Sequence, residues 1–181
     1  MAQPVALTGT PGTGKSLIAR RLAHQFRSVE VGALAFRLGA ARRTSAGYEV
    51  DVVRLRSALR RPGAWDDVDL VVGHLAHLLP VRDVVVLRCH PGELARRLRR
   101  ARRGTAFERR ENYVAEAVDL ILREAVRGNR RVWELDTTGC SPAQAARAVA
   151  RRLRQRGPSS YGRVDWLADP QVTEHLLDRG R

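Results

Sequence analysis

The sequence predicts an α/β fold of three layers, a mostly parallel sheet flanked by helices, and three observations predict it. Short apolar runs without polar alternation recur at "PVALT" (4–8), "VDLVVG" (68–73) and "DVVVLRC" (83–89), as expected of parallel strands covered on both faces. Segments with apolar residues at helical spacing separate them. The first run leads straight into glycines and then an amphipathic segment, the strand–loop–helix order of a phosphate-binding unit.

Taken in order, "PVALT" is a buried strand, and "KSLIARRLAHQF" (15–26) is a helix with Leu17, Ile18, Leu22 and Phe26 near helical spacing. "SVEVG" (28–32) reads as a second short strand. "DVVRLRSALRR" (51–61) sets Val52, Leu55 and Leu59 on one helical face and stops at Pro62 and Gly63. "PGELARRLRRARR" (91–103) opens with proline at a helix start, and "ENYVAEAVDLILREAVRG" (111–128) reads as one long amphipathic helix ended by Gly128. "RRVWELD" (130–136) is a strand. "SPAQAARAVARRLRQRG" (141–157) is a helix with Ser141 as N-cap, and residues from about 158 to 181 form a looser tail. At 181 residues, with no internal repeat or linker, the expectation is a single domain over 1–181.

The formal net charge is +14, which favours polyanionic partners such as nucleotides, RNA and acidic proteins. No run is long and apolar enough to span a membrane. No basic n-region precedes "PVALTG", and Cys89 and Cys140 are too few for a disulfide framework, so a cytoplasmic location is expected.

Gly9-Thr10-Pro11-Gly12-Thr13-Gly14-Lys15-Ser16 satisfies G-x-x-x-x-G-K-[ST] at every position. Gly9, Gly12 and Gly14 allow a tight turn whose amides, with that of Thr13, aim at a phosphate chain. The N-terminus of the following helix adds positive potential. Lys15 reaches the β- and γ-phosphates of ATP, and Ser16 offers its hydroxyl to Mg²⁺. Lys15 is the only lysine in the chain, the other 32 of its 33 basic residues being arginines. A compact, mobile ammonium suits this loop where arginine's planar fork does not. The single lysine also excludes the N-K-x-D base-reading motif of GTPases. A short chain with the loop near its start favours a nucleoside-monophosphate-kinase-like design within the P-loop NTPase fold. Its candidate lid is "RRARRGTAFERREN" (99–112), with Arg102 and Arg103 beside Gly104 as the leading arginines to stabilise transferred phosphoryl charge.

Several further segments carry a family resemblance: "LTGTPGTGKS" (7–16), "VEVGALA" (29–35), "GYEVD" (47–51), "GHLAHLLP" (73–80), "VVLRCHPGELARRL" (85–98), "ENYVAEA" (111–117) and "VWELDTTGCSP" (132–142). With them the chain resembles the archaeal and eukaryotic nuclear-type adenylate kinases, the isoenzyme 6 family. The resemblance implies ATP + AMP ⇌ 2 ADP with Mg²⁺, broad monophosphate specificity and intrinsic ATPase activity. It also implies association with ribosomal protein uS11 and the 30S precursor during 16S rRNA maturation. The implied monophosphate segment is about 29–51 and the lid about 102–111. Implied ATP contacts are Gly12, Gly14, Lys15, Ser16, the backbone of Leu17 and an arginine at the lid entrance, Arg102 or Arg103.

The chain departs from that pattern at Ala33, where the family commonly has Asp, and at Val72, where eukaryotic members carry an acidic residue two places before the matching histidine. His74 therefore becomes the candidate to position the attacking water or a substrate phosphate, with His77 second. Thr138–Ser141 is expected near the base. Glu111 and Asn112 read as helix-start residues, Trp133 as core, and Trp166 as a plug closing the tail or a contact for a partner. Two other readings remain: an ATP-hydrolysing ribosome-assembly switch, and a P-loop kinase of a small metabolite.

Overall fold

A computed structural model describes residues 3–45 and 47–178. In chain order the elements are β1 (Val5–Thr8), α1 (Lys15–Leu22), β2 (Ser28–Glu30), α2 (Val31–Arg37), β3 (Ala41–Thr44), β4 (Gly47–Val50), α3 (Val52–Ala58), β5 (Leu70–Val72) and β6 (Asp83–Arg88). Then follow α4 (Pro91–Arg100), α5 (Ala106–Ala117), α6 (Leu120–Gly128), β7 (Arg131–Asp136), α7 (Pro142–Gln155) and α8 (Pro170–Leu177).

The central sheet has the order β2-β5-β1-β6-β7, with every neighbouring pair parallel. Side chains alternate across it with period two. Ala6, Val71, Val84 and Val86 join a core with Leu34 of α2, Leu55 of α3 and Leu122 of α6. Their chain neighbours Val5, Leu7, Val85 and Leu87 join another with Ile18 and Leu22 of α1 and Val149 and Leu153 of α7. This is the three-layer α/β fold read from the apolar runs. Because β1 lies between β5 and β6, its following loop emerges where the strand order switches, the position at which such sheets bind ligands.

Four sequence expectations need correction. The periodic stretch 111–128 is two helices: α5 starts earlier, at Ala106, with Thr105 and Glu108 forming a reciprocal capping box, and ends before Asp119. Asp119 sits in the left-handed region at φ 59, which Asp tolerates better than most residues, and its carboxylate accepts from Arg88 Nη2. Glu111 and Asn112 are consequently mid-helix residues. Helix α2 and the antiparallel hairpin of β3 and β4 were not predicted, because α2 has only seven residues and the strands "ARRT" and "GYEV" are largely exposed, with no apolar alternation to mark them. The helices expected over 15–26, 51–61 and 91–103 stop short, at Leu22, Ala58 and Arg100; Phe26 and Leu59 lie beyond the ends of the first two, and the third ends two residues after Leu98.

From residue 158 to 178 the tail is more ordered than its composition suggests; residues 179–181 lie outside the described residues. Ser160 forms a parallel bridge beside Trp133 and covers the exposed edge of β7, with Glu134 N donating to Ser160 O at 2.8 Å and Ser160 N to Val132 O at 3.0 Å. The indole of Trp133, fully buried as expected, donates to Pro158 O at 2.8 Å. A 3-10 turn at Trp166–Ala168 and helix α8 then pack Trp166 and Val172 against Tyr113 and Ala117 of α5. Trp133→Ala is expected to destabilise the protein by about 3–5 kcal/mol, read as a lower urea midpoint, because it opens a cavity and releases the strap over the sheet edge.

Candidate active site

The loop after β1 is shaped by what surrounds it. Gly9 has φ 136, and a Cβ there would lie 2.3 Å from Leu87 O, so the central strands leave no space for a side chain. Gly12, at φ 100, would drive a Cβ to 2.9 Å from Leu94 of α4. The loop is closed internally: Thr13 N and Oγ1 both donate to Thr10 O, at 3.2 and 2.9 Å. Helix α1 begins at Lys15 with no acidic residue in its first turn, so its N-terminal potential faces the loop unopposed.

The Lys15 side chain is buried and folds back onto its own loop, with Nζ donating to Gly9 O at 2.7 Å and Thr10 O at 3.0 Å. Burial pulls its pKa down to about 8; the carboxylates of Glu30 and Glu116 oppose that fall, and Arg103 adds to it. Ser16 and Leu17 are exposed at the start of α1, both lining the cleft. Leu17 thus leaves the apolar face on which its spacing seemed to place it, while Ile18 and Leu22 remain there.

That cleft has a volume of about 750 Å³. One wall carries Gly12, Gly14, Lys15 and Ser16; another carries Glu30, Val31, Gly32, Tyr48 and Val50; Arg97, Arg103, Glu108 and Asn112 close a third side. The structure separates the two lid arginines that spacing could not. Arg103 lines the cleft, whereas Arg102, held at φ 51 as α4 ends, does not. Arg109 and Arg110 are otherwise engaged: Arg109 donates to Gly104 O and Arg110 to His175 O and Leu176 O at the end of α8.

The two histidines divide. His74 lines the cleft with an exposed ring, and loss of hydration against the wall, then the charges of Lys15 and His77, lowers its pKa, so it is neutral at neutral pH. His77 is buried, its Nδ1 3.1 Å from Thr8 Oγ1 and its Nε2 2.9 Å from Glu124 Oε2. It ties the 3-10 turn after β5 to α6 and does not reach the cleft lining. Thr138–Ser141 also lies outside that lining. Ser141 caps α7, and the contact with the loop comes from Thr137, whose Oγ1 is 3.3 Å from Thr13 O.

Sequence reasoning missed Glu30, Arg97 and Glu116. Glu30 ends β2 in register with Val72, so a carboxylate sits one strand over from the place where the acidic residue was missed. Its side chain makes no hydrogen bond to the helix it caps. Arg97 Nη2 donates to Thr137 O at 2.9 Å, bracing the cleft wall. Glu116 is buried behind the loop and accepts from Thr10 Oγ1 at 2.5 Å. Its only signal was its place in "ENYVAEA" (111–117), one of the segments that carry the family resemblance. Thiol chemistry at Cys89 is disfavoured, since burial pushes its pKa up to about 12.

Comparison with known proteins decides the family. Residues 5–119 match the family described as "AAA domain". A protein of Thermococcus onnurineus named "Putative adenylate kinase" is 35% identical over 176 residues, covering 96% of this chain and 97% of its own. One of Halobacterium salinarum with the same name is 42% identical, covering 90% and 96%. The chain belongs to this family. Solved structures show the fold at greater distance: shikimate kinase from Bacteroides thetaiotaomicron has 17% identity and a TM-score of 0.50, covering 85% of this chain and 97% of that one. A gluconokinase from Sinorhizobium meliloti 1021 has 16% identity and a TM-score of 0.52, covering 85% and 93%. The family member described here has a P-loop kinase architecture, and no helix among its described residues is long and apolar enough to cross a membrane.

An anion entering the loop stabilises the charged lysine, so binding raises its pKa from about 8. Below that value the ammonium is already protonated and no proton is taken up by it. Above it, binding draws one in, and affinity falls as pH rises. Calorimetry of ADP binding in buffers of different ionisation enthalpy is expected to show proton uptake approaching one per site near about pH 9, and none from this group near about pH 7.

Proposed function

We propose that the protein is a nucleoside-monophosphate kinase acting on AMP, transferring the γ-phosphoryl group of ATP to form two ADP. One observation carries the reading: a single cleft joins the phosphate loop to the 30–50 segment, leaving room for donor and acceptor face to face. Within the one kinase domain, 29–51 is then the monophosphate segment and 102–111 the lid. The loop amides and Lys15 hold the β- and γ-phosphates of ATP, with Gly9, Gly12, Thr13 and Gly14 shaping the cradle and Leu17 N at its edge. An oxygen of the AMP phosphate attacks the γ-phosphorus, the bond to the β-phosphate oxygen breaks, and ADP leaves from each side.

The oxygen donors fit a hard cation: the Ser16 hydroxyl and the Glu30 carboxylate line the same cleft and would hold Mg²⁺ with its waters. When bound, the ion neutralises phosphate charge. Glu30 thereby supplies the acidic group that Val72 does not. Arg103 brings a guanidinium to the charge spread over the transferring group, and Arg97 keeps the wall beside it fixed. His74, neutral and exposed, accepts a hydrogen bond from a water or a protonated phosphate oxygen. The combination excludes bulk water only when the 102–111 segment closes, so intrinsic ATPase activity is the leak expected without acceptor.

An assembly switch acting with uS11 on the 30S precursor is the second reading. The apolar Ala33 and Val72 and the +14 charge favour it.

ADP formation from ATP at fixed Mg²⁺ separates the two. AMP is expected to raise ADP production at least tenfold over ATP alone, roughly the scale of positioning one acceptor phosphate. A rate indifferent to every nucleoside monophosphate defeats the kinase reading and leaves the switch. Lys15→Arg is expected to lower kcat by about a hundredfold or more in the same assay while the circular dichroism spectrum is retained, since the fork cannot follow the phosphoryl group.

A further inference from the structure

Behind the phosphate loop lies a buried charge cluster that the reading above does not use. Arg88, at the end of β6, is 2% exposed and meets three carboxylates: Nε donates to Glu116 Oε1 at 2.8 Å, Nη1 to Glu134 Oε1 at 2.8 Å, and Nη2 to Asp119 Oδ1. One cation and three anions leave the cluster with excess negative charge. Glu116 is its member nearest the loop. Its Oε1 also accepts from Cys89 N at 3.1 Å and from the Trp166 indole at 3.3 Å, while its Oε2 accepts from Thr10 Oγ1 at 2.5 Å. The Thr10 carbonyl in turn receives Lys15 Nζ at 3.0 Å and Thr13 N and Oγ1.

We infer that Glu116 is the positioning residue of the phosphate loop: braced by Arg88, Cys89 and the tail's Trp166, it fixes Thr10, and through Thr10 O the resting place of the Lys15 ammonium. Both oxygens of the carboxylate are engaged, Oε1 by Arg88 and Cys89 at the end of β6 and by the tail, Oε2 by the loop itself. The carboxylate cannot rotate without breaking a buried charged hydrogen bond, so the loop is held in shape before any phosphate arrives.

The inference rests on a nucleotide occupying the loop, and its test reads ADP binding, not phosphoryl transfer. Absence of AMP-dependent turnover with intact ADP binding defeats only the kinase reading; absence of ADP binding to the unaltered protein defeats both. Calorimetric titrations with ADP at about pH 7 compare the full chain with Thr10→Val, Thr10→Ser, Glu116→Gln and the Thr10→Val/Glu116→Gln double variant. Thr10→Val removes the hydroxyl that Glu116 Oε2 holds and is expected to weaken binding about tenfold and to lower Tm, whereas Thr10→Ser, which keeps the hydroxyl, is expected to stay within about twofold of the unaltered chain. Because Thr10 and Glu116 act as one unit, the double variant is expected to bind no more weakly than the weaker single one. Unchanged binding in Thr10→Val overturns the inference. So does an equal loss in Thr10→Ser, or losses that simply add in the double variant, which is what separate structural roles produce. If Glu116→Gln does not fold, the Thr10→Val and Thr10→Ser pair decides.

Discussion

The site depends on keeping one ammonium charged inside the protein. Lys15 is buried, and its ammonium donates to Gly9 O and Thr10 O. Two carbonyl dipoles do not replace full hydration, which is why its pKa falls to about 8. A triphosphate tail relieves this deficit by bringing formal negative charge to a donor already in place. The carboxylates of Glu30 and Glu116 are far enough toward compensating the lysine that it remains a cation at neutral pH, yet neither is hydrogen-bonded to it. Binding energy is thus available to the ligand that would be consumed by a direct internal ion pair.

The topology makes this arrangement possible. With β1 between β5 and β6, the loop is bounded by Gly73 and His74 on one side and by Cys89 on the other, all at carboxyl ends of parallel strands. Gly9 must pass within reach of Leu87 O, and Gly12 beneath Leu94 and Leu98, so the loop is clamped from the sheet and from α4. Helix α5 then crosses behind it, and Glu116 near its end and Asp119 at the break both accept from Arg88.

Much of this was readable beforehand, for physical reasons that also mark the limit. β1, β5 and β6 and the loop were legible because buried parallel strands are uniformly apolar and because the loop's spacing is dictated by phosphate geometry. The position of His74 followed from its place after β5. The hairpin of β3 and β4 was not legible, since its strands are exposed and a solvated arginine leaves no periodic trace. Glu30, Arg97 and Glu116 were hidden for a different reason. Each acts through a partner distant in sequence, Glu116 with Thr10 at a separation of 106 residues, and no local pattern encodes such a pairing. Arg102 and Arg103 were inseparable in sequence because only the left-handed turn at Arg102 determines which of them faces inward.

Lys15 and Arg88 are both buried cations, and the difference between them explains why a chain so rich in arginine retains a lysine. Arg88 is held on all sides, its three nitrogens donating to Glu116, Glu134 and Asp119 and to Glu116 O at 3.1 Å. A planar fork with fixed donor directions is well matched to a permanent junction, and its charge is never lost. Lys15 has the opposite task. Its flexible stem must leave Gly9 O and Thr10 O and follow a moving phosphoryl group, and its pKa must respond to whether that group is present. Rigidity in the first cation supports mobility in the second: Arg88 fixes Glu116, Glu116 fixes Thr10, and the only part of the assembly left free to move is the side chain that touches the phosphate.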